Sequence, residues 1–103
     1  MKRILAGTLF AILIAAPAFA ITAGDVLDKM SADERQGYIS GALEMAMTAA
    51  SNQGNGKKAE CILNWYYKGD GSAAKTLIAA LDRYRDKPAS SVIGALLDKQ
   101  CGK

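Results

Sequence analysis

The chain has 103 residues, a mass of 10.9 kDa and a formal net charge of +3, enough for one small domain. It contains no His, which removes the commonest general base, the commonest metal ligand and the usual partner of a nucleophilic Ser or Cys. An enzyme is not expected, and neither is a cofactor.

The first 20 residues read as a secretory signal peptide. Lys2 and Arg3 are followed by the apolar run Ile4 to Ala16 and then by Pro17-Ala18-Phe19-Ala20, with small residues before a cut. An uncleaved anchor is the alternative, but a 13-residue run is short for a span. Cleavage after Ala20 leaves 83 residues with 11 Lys and Arg (13 less Lys2 and Arg3) against 10 Asp and Glu, a net charge of +1. That balance offers no strong basic field for nucleic acid. No second apolar run of about 20 residues follows, so no membrane association is expected after cleavage. Ile21 rather than Cys follows the cut, which speaks against a lipid anchor. The expected compartment is the periplasm.

The remainder reads as helices throughout, with no sustained alternation of period two. A first helix is expected over about 23–30, with Thr22 as N-cap, Asp25 three residues on, and Val26, Leu27 and Met30 as its apolar face. Ser31-Ala32-Asp33-Glu34 is a capping box and starts a helix over about 32–51. Its predicted inward stripe is Tyr38, Ala42, Met45, Ala46 and Ala49, widened by Ile39 and Leu43. Gly37 and Gly41, four apart on one face, predict close approach of a neighbouring helix.

Ser51 to Gly56 is the clearest loop, rich in Asn and Gly. A third helix over about 57–67 places Lys58, Cys61, Ile62, Trp65 and Tyr66 along one side and ends at Lys68-Gly69-Asp70-Gly71. Ser72 is expected to cap a fourth helix over about 73–86, with Ala74, Leu77, Ile78, Leu81 and Tyr84 buried and Asp82, Arg83, Arg85, Asp86 and Lys87 wet. Pro88 forces a break. A last helix over about 90–100 carries Ile93, Leu96, Leu97 and Cys101 on one side.

Two cysteines in an exported chain allow one intrachain pairing, Cys61–Cys101; two free or intermolecular thiols are the alternative. The loop that this bond closes is about 40 residues long, for which chain entropy gives roughly 4 kcal/mol. The expected fold is therefore all-α: a single-domain bundle of four or five short helices with one disulfide.

Few residues point to chemistry. Ser31, Ser72, Ser90 and Ser91 stand where helices begin, so capping explains them. Asp33 and Glu34 fit the same role, and Glu44 reads as solvated or bonded to Arg35. No metal-ligand spacing occurs. Trp65-Tyr66-Tyr67 spans roughly 200° of a helix, so Tyr67 should be exposed when Trp65 and Tyr66 face inward.

Several segments resemble the Rap/Tai family, small secreted helical immunity proteins that protect bacteria against type VI secretion amidase effectors. The segments are Gly24-Asp25-Val26-Leu27, Asp33 to Glu44 with its Gly37-Tyr38-Ile39-Ser40-Gly41 core, Cys61-Ile62, and Ala95 to Cys101. The sequence departs from the family at Met30 and Gln36, where many members carry further cysteines. The resemblance implies a periplasmic protein that binds a peptidoglycan amidase and occludes its active site. It assigns no contact residue. The groups expected to be exposed and adaptable are Asn52, Gln53, Asn55, Lys57 and Lys58 in the loop, with Tyr67 and Lys68. Competing readings are a periplasmic stress chaperone, similar in size, helicity and single disulfide to the acid chaperone HdeA, and an envelope protein with no paired toxin. A homodimer is left open.

Overall fold

The computed structural model describes residues 21–103; the expected signal peptide lies outside the described residues. Five helices follow in order: α1 (Ala23–Asp28), α2 (Ala32–Asn52), α3 (Gly56–Ile62), α4 (Ser72–Arg83) and α5 (Ala89–Cys101). A π-helical turn, Leu63–Tyr67, extends α3. The fold is an all-α bundle with the Cys61–Cys101 disulfide formed. Among the described residues there is no strand and no helix long and apolar enough to cross a membrane.

Local capping sets the first two helix starts. The Asp25 amide donates to the Thr22 hydroxyl at 3.1 Å, and the Thr22 amide returns a 3.3 Å bond to the Asp25 carboxylate. The Glu34 amide likewise donates to the Ser31 hydroxyl at 3.2 Å, and the Ser31 amide donates to the Glu34 carboxylate at 2.8 Å. Each box satisfies amides that a helix start leaves without partners. Those bonds have an electrostatic signature. The Thr22 amide and then Lys29 hold the Asp25 carboxyl below its ordinary value, and the Ser31 amide does the same to Glu34.

One core joins all five helices. Val26, Leu43, Ile62, Leu77, Leu81 and Leu97 are its largest fully buried side chains. Burying each is worth about 1.5–3 kcal/mol. The α2 stripe is rotated from the predicted one. Ile39, Leu43 and Ala50 are buried, whereas Met45 is 75% exposed and Ala49 is also exposed. The alanines on both sides of α2 make its apolar face ambiguous by composition, and only the branched residues mark it. Gly37 and Gly41 are also not a helix-packing seam, since an added Cβ at either would meet nothing within 4 Å. Arg35 does not reach Glu44, which is exposed; its guanidinium instead donates to the carbonyls of Val26 at 3.3 Å and Leu27 at 3.0 Å. It thereby serves the C-terminal end of α1, where carbonyls lack helical partners.

The third helix changes character part-way. The Lys68 amide bonds to the Leu63 carbonyl at 3.3 Å, closing a wider turn. A wider turn reduces the angle between successive side chains. Trp65 and Tyr66 can then both pack on the core while Tyr67 stays 43% exposed. Gly69 follows because the chain passes tightly over the Trp65 carbonyl; a Cβ there would sit 2.8 Å from that oxygen.

Capping of α4 differs from expectation. Gly71 is the N-cap and Ser72 is the first helical residue. Asp70 supplies the acceptor, taking the Ser72 amide at 3.0 Å. The Ser72 side chain and amide hold the Asp70 carboxyl below its ordinary value. Helix α4 ends at Arg83, three residues short of expectation, and Tyr84 is 45% exposed rather than buried. Pro88 is the N-cap of α5, so Ser90 and Ser91 lie inside the first turn and make no cap bond.

Candidate interaction surface

The residues expected to be exposed and adaptable fall at two places along the third helix. Asn52, Gln53 and Lys57 are exposed near the α2–α3 turn, and Tyr67 and Lys68 are exposed beyond the far end of α3. From Lys58 to Tyr67 is roughly 13 Å of helix rise. Asn55 and Lys58 are structurally engaged rather than free. The Asn55 side chain accepts the Lys58 amide at 3.1 Å and donates to the Lys103 carbonyl at 3.3 Å. Lys58 is largely buried, its side chain 16% exposed, and is ion-paired with Asp98 of α5.

Together with the disulfide, these contacts fasten the C-terminus to α3. The sulfurs are 2.06 Å apart and the Cα atoms 5.7 Å apart, well within the span that such a bond accepts. The α2–α3 turn is thus built around anchoring groups.

A second surface lies between α4 and α5. Helix α4 contributes Thr76, Ala79, Ala80 and Arg83. Helix α5 contributes Ser91, Val92, Ala95, Leu96 and Lys99, and the connecting turn adds Tyr84, Lys87 and Pro88. On each helix these positions recur at three- and four-residue intervals, so they share a face. Small alanines opposite one another leave an open groove of about 670 Å³. Arg83 stacks against the Tyr84 ring with its guanidinium carbon 5.7 Å from the ring centroid.

The charge around this groove is one-sided. Arg83, Lys87 and Lys99 border it, and no Asp or Glu does. No ion pair among the described residues involves any of the three. The contrast is with Arg85, which pairs with Asp28 at 2.8 Å and Asp82 at 3.5 Å beside a neighbouring hollow. The turn that carries Tyr84 and Lys87 is gripped by the start of α1. The Ala23 amide donates to the Lys87 carbonyl at 2.8 Å, Gly24 to Arg85 at 2.9 Å, and Ala89 to Ile21 at 2.9 Å. A Cβ on Gly24 would come within 3.2 Å of the Arg85 carbonyl, so the close approach depends on glycine.

The period of α4 predicts a buried Tyr84, which instead lines this groove. The available signal was the recurrence of small and basic residues at Pro88, Ser91, Ala95 and Lys99, which continues the period of α5 on the side away from Ile93 and Leu97. No protein-family model, curated relative or solved structure matches this chain.

Proposed function

We propose that this protein is a small exported binding protein that acts by presenting a rigid surface to a protein partner. The observation that carries this reading is the apolar groove between α4 and α5, bordered by unpaired cations and built on a cross-linked bundle. A preformed surface costs little ordering entropy when it is covered. The Rap/Tai resemblance supplies the partner class, a secreted peptidoglycan amidase whose cleft the protein occludes in the periplasm.

The test uses the purified oxidised protein and the amidase encoded beside its gene. A stoichiometric complex that no longer cleaves peptidoglycan peptides is the expected result. Absence of an adjacent amidase gene, or an amidase left fully active by excess protein, defeats the amidase reading.

A second reading, the acid-activated chaperone, draws on Asp25, Glu34 and Asp70. All three carboxyls accept amides at helix starts and are held below their ordinary values, so acid weakens those bonds. Circular dichroism and ANS fluorescence from pH 7 to pH 2 separate the two readings. Occlusion expects no client binding at acid pH, whereas the chaperone expects client capture as the carboxylate bonds at the helix starts weaken.

A further inference from the structure

The two ends of the α4–α5 groove carry like charge. Arg83 and Lys87 stand at the turn, and Lys99 stands eleven residues beyond Pro88 on α5. That interval corresponds to roughly 16 Å of helix, or three turns. Between them the floor is Ala79, Ala80, Val92, Ala95 and Leu96. Asp82 lines the neighbouring hollow and pairs with Arg85 at 3.5 Å, and Asp98 is held by Lys58; neither of them, nor Asp86 beside Lys87 in the turn, lines the groove.

From this arrangement we infer that the groove docks an acidic amphipathic helix of a partner protein, with an apolar stripe about three turns long and carboxylates near both ends. The assignment rests on the reading of the chain as a binding protein and adds the chemistry of what it binds. Two parallel rows of side chains at helical spacing form the kind of trough into which a third helix packs its apolar ridge. The alanines on the floor let that ridge approach closely. The separation of the cations distinguishes this occupant from a single-headed amphiphile, whose one anionic group reaches one end of the groove and leaves the other cation unmatched. Carboxylates at both ends of a three-turn stripe match both. Complementary charge of this kind directs partner choice and speeds encounter.

The test uses purified oxidised protein labelled with nitrogen-15 and three probes. One is a capped 14-residue peptide with Glu pairs flanking a Leu/Ala stripe, the second is its Gln-for-Glu counterpart, and the third is sodium laurate. The acidic peptide is expected to shift the amide resonances of Tyr84, Val92, Ala95 and Lys99 and to bind at least tenfold more tightly than the Gln peptide. Its binding should weaken with added salt. Arg83→Glu combined with Lys99→Glu should reduce affinity for the acidic peptide by tenfold or more, while Lys75→Glu on the other face should change it less than twofold. Ala95→Trp places bulk in the groove at an exposed position, so it should abolish binding without unfolding the chain.

Equal affinity for the acidic and Gln peptides overturns the assignment. So does displacement of the peptide by laurate at lower concentration, which would make the groove an amphiphile site. A dimer by light scattering with the groove resonances protected overturns it too, because a second copy would then be the occupant. Peptide binding in a chain that leaves the amidase active keeps this assignment and removes the amidase reading; amidase inhibition without peptide binding removes this assignment and moves occlusion to another face.

Discussion

The two ends of the bundle are held by different chemistry. At one end a covalent bond joins Cys61 to Cys101, supported by the Lys58–Asp98 ion pair and by Asn55 reaching the Lys103 carbonyl. At the other end backbone amides of Ala23, Gly24 and Ala89 tie the start of α1 to the α4–α5 turn, and Arg35 and Arg85 brace α1 from two sides. The first end is a side-chain clasp between residues about 40 positions apart. The second is a main-chain seam, indifferent to most side chains and dependent on the small size of Gly24. The groove opens beside this seam, so the position of Tyr84 and Lys87 is set by main-chain geometry.

Cutting the clasp should have the largest effect. Reduction, or Cys61→Ala with Cys101→Ala, should cost about 4 kcal/mol, since the loop closed spans 40 residues. Urea denaturation at pH 7 measures it. Equal midpoints for oxidised and reduced protein would show that the clasp is redundant with the ion pair beside it. Next comes the core shared by both ends. Leu97→Ala empties a site that is 1% exposed and should cost about 3 kcal/mol, read as a lower denaturation midpoint with an unchanged slope.

The seam is tested more gently. Arg35→Ala removes two bonds to the last carbonyls of α1 and should cost about 1–2 kcal/mol, with faster amide exchange concentrated in α1 and the α4–α5 turn. Uniform acceleration across the molecule would mean that the seam does not behave as a separate unit.

The smallest effect concerns pH. The Asp25, Glu34 and Asp70 carboxyls are all held below their ordinary values, 3.8 for Asp and 4.5 for Glu. A depressed folded value means the unfolded chain takes up protons first. The stabilisation is therefore complete above pH 4.5 and is lost as pH falls through the lower folded values. Because these groups are exposed, solvent screening keeps the change modest. Denaturation midpoints at pH 5.5 and pH 2.5 should differ less in Glu34→Gln than in the parent chain, since an amide side chain does not titrate and can accept the Ser31 amide at both pH values.

Much of the fold was legible in the residues. Thr22 and Asp25, then Ser31 and Glu34, announce two helix starts because a cap is a relation between residues three apart. Cys61 and Cys101 allow one intrachain pairing, and the fold makes it by bringing their Cα atoms to 5.7 Å. The candidate site was less legible. Asn55 reads as a free loop group, and Lys58 both as one and as part of the inward side of the third helix; the C-terminal helix and tail engage both, in contacts over 48 and 40 positions. Tyr84 read as core because it continues the period of Leu77 and Leu81, but α4 stops at Arg83 and the chain turns away before Tyr84 can follow them inward.

The helical class, the capping boxes and the restart at Pro88 depend on near neighbours along the chain and are legible there, and the cysteine count admits a single intrachain bond. Which alanines lie in the core, which cations find an acid, whether the two cysteines meet, and that Arg83, Lys87 and Lys99 border one groove follow from how the helices pack. Alanine fits either face of a helix, and a groove exists only between helices, so neither can be read from one segment of chain.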